Sequence, residues 1–193
     1  MSAMTIFQWI IAALWLVFIT YWGISALSAK RNLGVTAWWR QSLLRIAIVV
    51  LIVAALRLAG AGPALRAMQA YQAHSQLLGG IGAALVLLGV GLAIFARVYL
   101  GRNWGMPMSR KAEPELVTGG PYAFVRHPIY TGIMLAMLGS AVGLTIIWVL
   151  PLVLFVPYFL YSARCEEDLM REQFPEQYPD YMHRTKMIVP FVL

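Results

Sequence analysis

The chain has 193 residues, 61% of them hydrophobic and only 12% charged, with a formal net charge of +7. A soluble domain carries roughly twice that share of charge, so a water-soluble core and a disordered chain are both excluded, and the length suits a single membrane domain, residues 1–193. Cys165 is the only cysteine, which rules out an internal disulfide or thiolate cluster, and His74, His127 and His183 lack short metal-ligand spacing, so no metal is expected.

The first apolar run, residues 4–27, contains Trp9, Trp15, Tyr21 and Trp22 and ends at Lys30-Arg31. It reads as a retained membrane span rather than a removable signal peptide, because no small-residue cleavage pattern followed by polar sequence succeeds it. A short loop with Trp38-Trp39-Arg40 at headgroup level leads to a second span, residues 43–59, with Arg45 and Arg57 close enough to its ends to reach the interface. Gly60-Ala61-Gly62-Pro63 breaks that helix. These two spans make up an amino-terminal region, residues 1–75.

The remaining chain, residues 76–193, begins with a third span, 77–100. Gly79, Gly80, Gly82, Gly89 and Gly91 within it are expected to let neighbouring helices approach closely. Arg97 lies one turn inside the end of this span, where an arginine either reaches the interface or serves a site. The loop from Gly101 to Arg126 is polar and rich in Gly and Pro, and at this length it is expected to be functional.

Residues 127–163 contain no Asp, Glu, Lys or Arg. That is too long for one ordinary span and slightly short for two, and Gly139, Gly143 and Pro151 offer breaks. The stretch is expected to form a helical hairpin, 129–142 and 145–162, whose short first arm need not cross the whole bilayer; one kinked helix is the alternative. From Arg164 the composition turns polar, as if the last helix continued into water before a surface-bound segment, and residues 187–193 end the chain apolar against the membrane face.

Basic residues set orientation. Lys30, Arg31 and Arg40 occupy the first loop, Arg102, Arg110, Lys111 and Arg126 the long loop, and Arg164, Arg171, Arg184 and Lys186 the tail. Five spans put all three segments on one side, the cytoplasmic one. The expected fold is therefore all-α, a polytopic integral membrane protein with five transmembrane helices. Its amino terminus lies outside, its carboxyl-terminal segment lies in the cytoplasm, and the host bilayer is a cell inner membrane. The positive charge then answers anionic lipid headgroups rather than nucleic acid.

Two polar clusters flank the charge-free stretch and should meet at that cytoplasmic face. His127-Pro128 opens an apolar helix; proline suits the first helical turn, and the unpaired amides there favour an anionic or electron-rich ligand group. Arg126 adds charge, and Asn103, Tyr122 and Tyr130 add polar contacts, although Tyr122, Phe124 and Tyr130 also suit plain interface anchoring. Glu166 and Glu167 close the stretch. Adjacent helical residues point about 100 degrees apart, so one carboxylate is free to accept from a ribose or an amine while the other pairs with an arginine. Arg164 and Glu167 are spaced to pair on one face. An ordinary solvated helix exit has the same spacing.

Gly120-Pro121-Tyr122, Arg126-His127-Pro128-Ile129-Tyr130-Thr131-Gly132 and Glu166-Glu167-Asp168-Leu169, with Phe174, Tyr178 and Tyr181, resemble the isoprenylcysteine carboxyl methyltransferase family, part of a wider membrane group that includes phospholipid methyltransferases. The resemblance covers residues 97–190, including Leu100-Gly101-Arg102-Asn103-Trp104 and Leu116-Val117-Thr118. Pro175 departs from it, standing where the family often has glycine.

The resemblance implies S-adenosylmethionine as methyl donor and a cofactor pocket built by the carboxyl-terminal half. His127, Pro128, Tyr130 and Gly132 map onto the cofactor-binding motif, Glu166 and Glu167 onto the paired acidic motif, and Tyr122 onto the segment before; Asn103 and Arg126 complete the cofactor-binding candidates. Arg164, Glu167 and Arg97 are the catalytic candidates, Arg164 or Arg97 orienting an acidic substrate and Glu167 serving as base for an amine or thiol. The acceptor this implies is lipophilic, most simply an isoprenylcysteine-type carboxylate, with phospholipids and small thiols as alternatives. An NADPH-dependent membrane reductase and a non-enzymatic scaffold are the competing classes.

Overall fold

The computed structural model describes residues 5–26, 75–101 and 115–190, with residues 32–33, 60, 62–64, 66–67, 104 and 110–111 between them. The expected second span, the Trp38-Trp39-Arg40 loop and Asn103 lie outside the described residues. In chain order the elements are helix α1 (Ile6–Ala26), strand β1 (Asn32–Leu33), helix α2 (Gln76–Leu100), strand β2 (Arg110–Lys111), a 3-10 turn (Gly120–Ala123), helix α3 (Pro128–Gly143), a second 3-10 turn (Ile146–Trp148), helix α4 (Val149–Gln173) and helix α5 (Gln177–Arg184).

The fold is mostly helical. The strands are two residues each and pair antiparallel, Asn32 with Lys111 and Leu33 with Arg110, which ties the loop after α1 to the loop after α2. Among the described residues, three helical segments are long and apolar enough to cross a membrane: Ile6–Ser25, Gln76–Leu100 and Ile146–Gln173. Helix α1 exposes Ile6, Trp9, Leu16, Val17, Ile19 and Ile24. A helix apolar all round belongs in lipid, and the protein is an integral membrane protein.

Helices α1 and α2 run parallel. At their amino ends Phe7 covers Gly79, where an added Cβ would lie 2.9 Å from its ring. At their carboxyl ends Arg97 donates from Nη2 to the Ser25 carbonyl at 2.7 Å, and Trp22 meets Trp104 edge to face. Helix α3 returns antiparallel on α2, and the contact is backbone on backbone: an added Cβ at Gly82 would collide with Gly143 Cα, at Gly89 would lie 2.5 Å from the Gly132 carbonyl oxygen, and at Gly139 2.7 Å from Val86 N. Gly82 and Gly89 thus serve helix packing as the sequence suggests, whereas a Cβ at Gly91 would meet nothing within 4 Å.

Helix α3 has 16 residues, about 24 Å at 1.5 Å per residue, less than the roughly 30 Å of a hydrocarbon core. After Gly143 the chain turns through residues 144–148. Thr145 caps the 3-10 turn by accepting from Ile147 N, and Trp148 stacks on Trp15 of α1. The expected hairpin is present. Pro151 sits in the first turn of α4, where its missing amide proton is no loss, and the break falls just after Gly143. Helix α4 runs on without interruption past Ser162 to Gln173, which brings the acidic pair back to the start of α3.

Two apolar clusters hold the bundle. Ile11, Ala83, Val86, Val90 and Ala136 pack between α1, α2 and α3. Ala96, Tyr122, Ile129, Tyr130, Phe159 and Ala163 pack at the other end, directly beneath the polar clusters.

Candidate functional site

The site forms where α3 begins, α4 leaves the bundle and the tail returns. Gly120, at a positive φ of 58 degrees, turns the chain around Tyr99, which a Cβ there would meet at 2.5 Å. The 3-10 turn buries Pro121 and Tyr122, and Pro128 takes the first position of α3 with His127 as its cap. The tail then lies alongside. Arg126 N donates to the Lys186 carbonyl at 2.8 Å and His127 N to the Met187 carbonyl at 3.0 Å, with a parallel bridge between Val125 and Lys186. Thr131 Oγ1 donates to the Ile188 carbonyl at 2.6 Å.

Arg126 is the hub. Its Nε donates to Glu167 Oε1 at 2.6 Å, and its Nη1 donates to the carbonyls of Met182 and Thr185. Both partners of the ion pair are almost fully buried, at 8% and 2% exposure. Such a pair contributes little net stability over an apolar replacement, but it fixes geometry, because either charge left alone is costly. Arg171 approaches the other Glu167 oxygen at 3.7 Å and donates to Asp168. The expected pairing of Glu167 with Arg164 does not occur. Helix α4 turns Arg164 to the exposed side while Glu167 faces inward.

His127 lies between the two carboxylates, with Nδ1 3.6 Å from Glu166 Oε2 and Nε2 3.4 Å from Glu167 Oε1. Its Nε2 is buried and has no hydrogen-bond partner among the described residues. The imidazole stacks on Tyr130 at 5.5 Å with the rings nearly coplanar in orientation, and Tyr130 stacks in turn on Phe159 at 4.8 Å. Tyr130 Oη donates to Glu166 Oε1 at 2.5 Å, and Ser162 Oγ lies 3.0 Å from Tyr130 Oη and 3.1 Å from the same carboxylate oxygen.

Arg126, His127, Tyr130, Glu166 and Glu167 therefore come together, although their two segments are far apart in sequence. Three other candidates sit elsewhere. Gly132 faces α2, where a Cβ would lie 2.5 Å from the Gly89 carbonyl oxygen, so its missing side chain serves helix packing. Tyr122 is buried scaffold: its hydroxyl reaches toward the Ala96 carbonyl at 3.4 Å and its own carbonyl accepts from Tyr181 Oη at 2.6 Å. Arg97 is 2% exposed and clamps the carboxyl ends of α1 and α2, donating to the carbonyls of Gly101 and Ser25 with its guanidinium 4.6 Å over Trp104.

Sequence reasoning missed Ser162, and it names Thr131 and Tyr181 only within the family motifs, without a role at the site. Ser162 precedes Glu166 by four residues and Thr131 follows His127 by four, a spacing that puts each on its partner's helix face. Burial pushes the hydroxyls of Tyr122, Tyr178 and Tyr181 above the ordinary tyrosine range, so they remain protonated and able to donate.

Fold and site together define a helical membrane protein whose ionisable groups gather at one end of an apolar bundle, on the last two long helices and the tail. The chain belongs to the phospholipid methyltransferase family, whose family model matches residues 78–177. It is similar to the nickel-cobalt-cadmium resistance protein NccN of Alcaligenes xylosoxydans xylosoxydans, with 33% identity over 110 residues, 54% of this chain and 50% of that protein. It is also similar to protein-S-isoprenylcysteine O-methyltransferase B of Arabidopsis thaliana, with 30% identity over 115 residues, 58% of each chain. The protein-S-isoprenylcysteine O-methyltransferase of Saccharomyces cerevisiae is 28% identical over 128 residues, 63% of this chain and 53% of that protein. The chain spans about half the length of the curated relatives it matches. The resemblance to isoprenylcysteine carboxyl methyltransferases read from the motifs is borne out by these relatives.

Proposed function

We propose that the protein is an S-adenosylmethionine-dependent methyltransferase acting at the membrane on a lipophilic acceptor, most simply an isoprenylcysteine-type carboxylate. The observation that carries this reading is the assembly of Arg126-His127 and Glu166-Glu167 into one cluster at the mouth of an apolar bundle. The residues suit the donor. His127 Nε2 is a buried polar atom without a hydrogen-bond partner among the described residues, and Glu166 is the more open carboxylate of the pair, at 29% exposure against 2%. His127 and Glu166 would hold the donor's polar groups, with Tyr130 beneath them. Glu167 is committed to Arg126 and acts as support for His127. A sulfonium donor supplies an already activated methyl group and needs no metal. What the chain contributes is alignment of acceptor and methyl carbon, worth several kcal/mol in favourable cases.

The finer topology belongs to the same proposal. With α1 and α2 parallel, the reading takes the expected span at 43–59 as the connection between them. Five spans then put the amino terminus outside and the site and tail in the cytoplasm of an inner membrane, with residues 76–193 as the methyltransferase-like core.

Relatives named for metal resistance and relatives named for isoprenylcysteine methylation match at similar identity, so the acceptor is the part to be settled by assay. Purified protein in detergent is expected to bind S-adenosylmethionine in calorimetry, in competition with S-adenosylhomocysteine, and to transfer labelled methyl to a prenylcysteine ahead of lipid extract or small thiols. No heat and no competition would overturn the reading; binding of a nicotinamide dinucleotide instead would favour the reductase class.

A further inference from the structure

We infer that Ser162 is a positioning residue for Glu166: with Tyr130 it clamps one carboxylate oxygen and thereby fixes the other toward His127 and the methyl donor. The inference rests on the reading of the site as a donor site. Three oxygens form a triangle, Tyr130 Oη to Glu166 Oε1 at 2.5 Å, Tyr130 Oη to Ser162 Oγ at 3.0 Å, and Ser162 Oγ to Glu166 Oε1 at 3.1 Å. Two hydroxyl protons serve these three contacts. The short contact takes the Tyr130 proton, and Ser162 donates either to the carboxylate or to the phenol oxygen. In both arrangements Oε1 is held, and among the described residues Oε2 is left with only His127 Nδ1, at 3.6 Å, which is beyond hydrogen-bond distance. Ser162 is fully buried one turn before Glu166 on the same helix, and Tyr130 is gripped between His127 and Phe159. The clamp is therefore built on rigid parts, while Glu166 itself is a flexible side chain at the edge of the apolar core. Without the clamp its carboxylate is free to turn to solvent. Ordering it beforehand removes a loss of freedom that donor binding would otherwise incur.

The test uses the full-length protein in detergent, with S-adenosylmethionine and S-adenosylhomocysteine as probes. Ser162→Ala is expected to weaken the calorimetric Kd of both probes roughly tenfold, about the effect of one hydrogen bond to a charged group. KM for the donor should rise with it, while kcat changes little. In a Glu166→Ala background, which removes the clamped carboxylate, Ser162→Ala should have almost no further effect on Kd, an outcome that a merely structural role for the serine would not produce. Tyr130→Phe, which keeps the ring stack and removes one donor, should repeat the pattern and serves as the second variant if Ser162→Ala does not fold. Native-like Kd in either folded variant, or equal losses with and without Glu166, overturns the inference while the donor site stands. Failure of the native protein to bind either probe overturns the donor site and the inference with it.

Discussion

One face of α3 carries Gly132, Ala136, Gly139 and Gly143 and lies on the backbone of α2, while the first turn of the same helix carries Tyr130 and Thr131 and is bound to α4 and the tail by hydroxyls. The glycine face holds by close approach. In lipid there is no hydrophobic gain from burying one apolar helix against another, so dispersion between near-touching backbones is what associates them. The polar end holds by direction, since each hydrogen bond and the Arg126–Glu167 pair tolerate one geometry. The comparison teaches a division of labour. The glycine face fixes the depth and register of α3, and the polar end sets where His127 sits relative to the acidic pair.

Breaking the polar end should have the largest effect. Arg126→Leu leaves Glu167 buried at 2% exposure without its closest counter-ion and frees two tail carbonyls. A loss of about 3–5 kcal/mol is expected, the usual consequence of orphaning one member of a buried pair. It should be read as a lower thermal midpoint in detergent and faster proteolysis of the tail. Adding Glu167→Met should recover much of that stability, because an apolar pair of similar volume has no desolvation to compensate. A single variant that melts like the native protein would show that the tail is held elsewhere.

Breaking the glycine face should come next. At Gly132 an added Cβ would meet the Gly89 carbonyl oxygen at 2.5 Å and Ala93 N at 2.7 Å, both backbone atoms that cannot move alone. Gly132→Ala is expected to cost about 1–3 kcal/mol of stability, as overpacking does. Gly91→Ala, with open space around it, should be neutral or stabilising, since alanine gains up to about 1 kcal/mol over glycine in a helix. The variant at Gly132 also separates two roles. If its glycine serves the donor rather than the packing, stability will hold and donor binding will fall.

Much of this arrangement was legible in the sequence, and the reasons differ by region. Apolar runs announced α1, α2 and the hairpin because lipid demands length and composition that nothing else in a short chain requires. The polar clusters stood out because they bound a long charge-free stretch at both of its ends. What the sequence did not disclose is pairing at long range. Glu167 has Arg164 one turn before it on its own helix, yet it turns to Arg126, because α4 presents Glu167 inward and Arg164 outward. Gly132 lies inside the His-Pro motif and was grouped with it, although its face of α3 belongs to the helix seam. Ser162 and Thr131 sit in apolar sequence as single small polar residues; each has a partner four residues away on its own helix, but Tyr130 and the Ile188 carbonyl reach them only through the packing of α4 and the tail.

The smallest expected effect sharpens the comparison within the bundle, where a polar contact between side chains crosses the apolar region. Trp15 Nε1 donates to Ser140 Oγ at 2.9 Å, and Ser140 Oγ in turn donates to the Ala136 carbonyl at 2.9 Å. The same indole stacks on Trp148 at 5.4 Å, so α1 is joined both to α3 and to the turn before α4. Trp15→Phe removes the hydrogen bond and keeps an aromatic ring. Interhelical hydrogen bonds in membranes average about 0.6 kcal/mol in double-mutant cycles, and the Ser140 hydroxyl keeps its helical carbonyl, so no buried group is orphaned. The thermal midpoint should fall slightly, and donor affinity should not change, because the contact touches neither the polar end nor the glycine seam. A loss as large as that of Gly132→Ala would mean that α1 is held on the bundle by this one directional contact rather than by its packing against α2, and the division of labour drawn from α3 would not extend to α1.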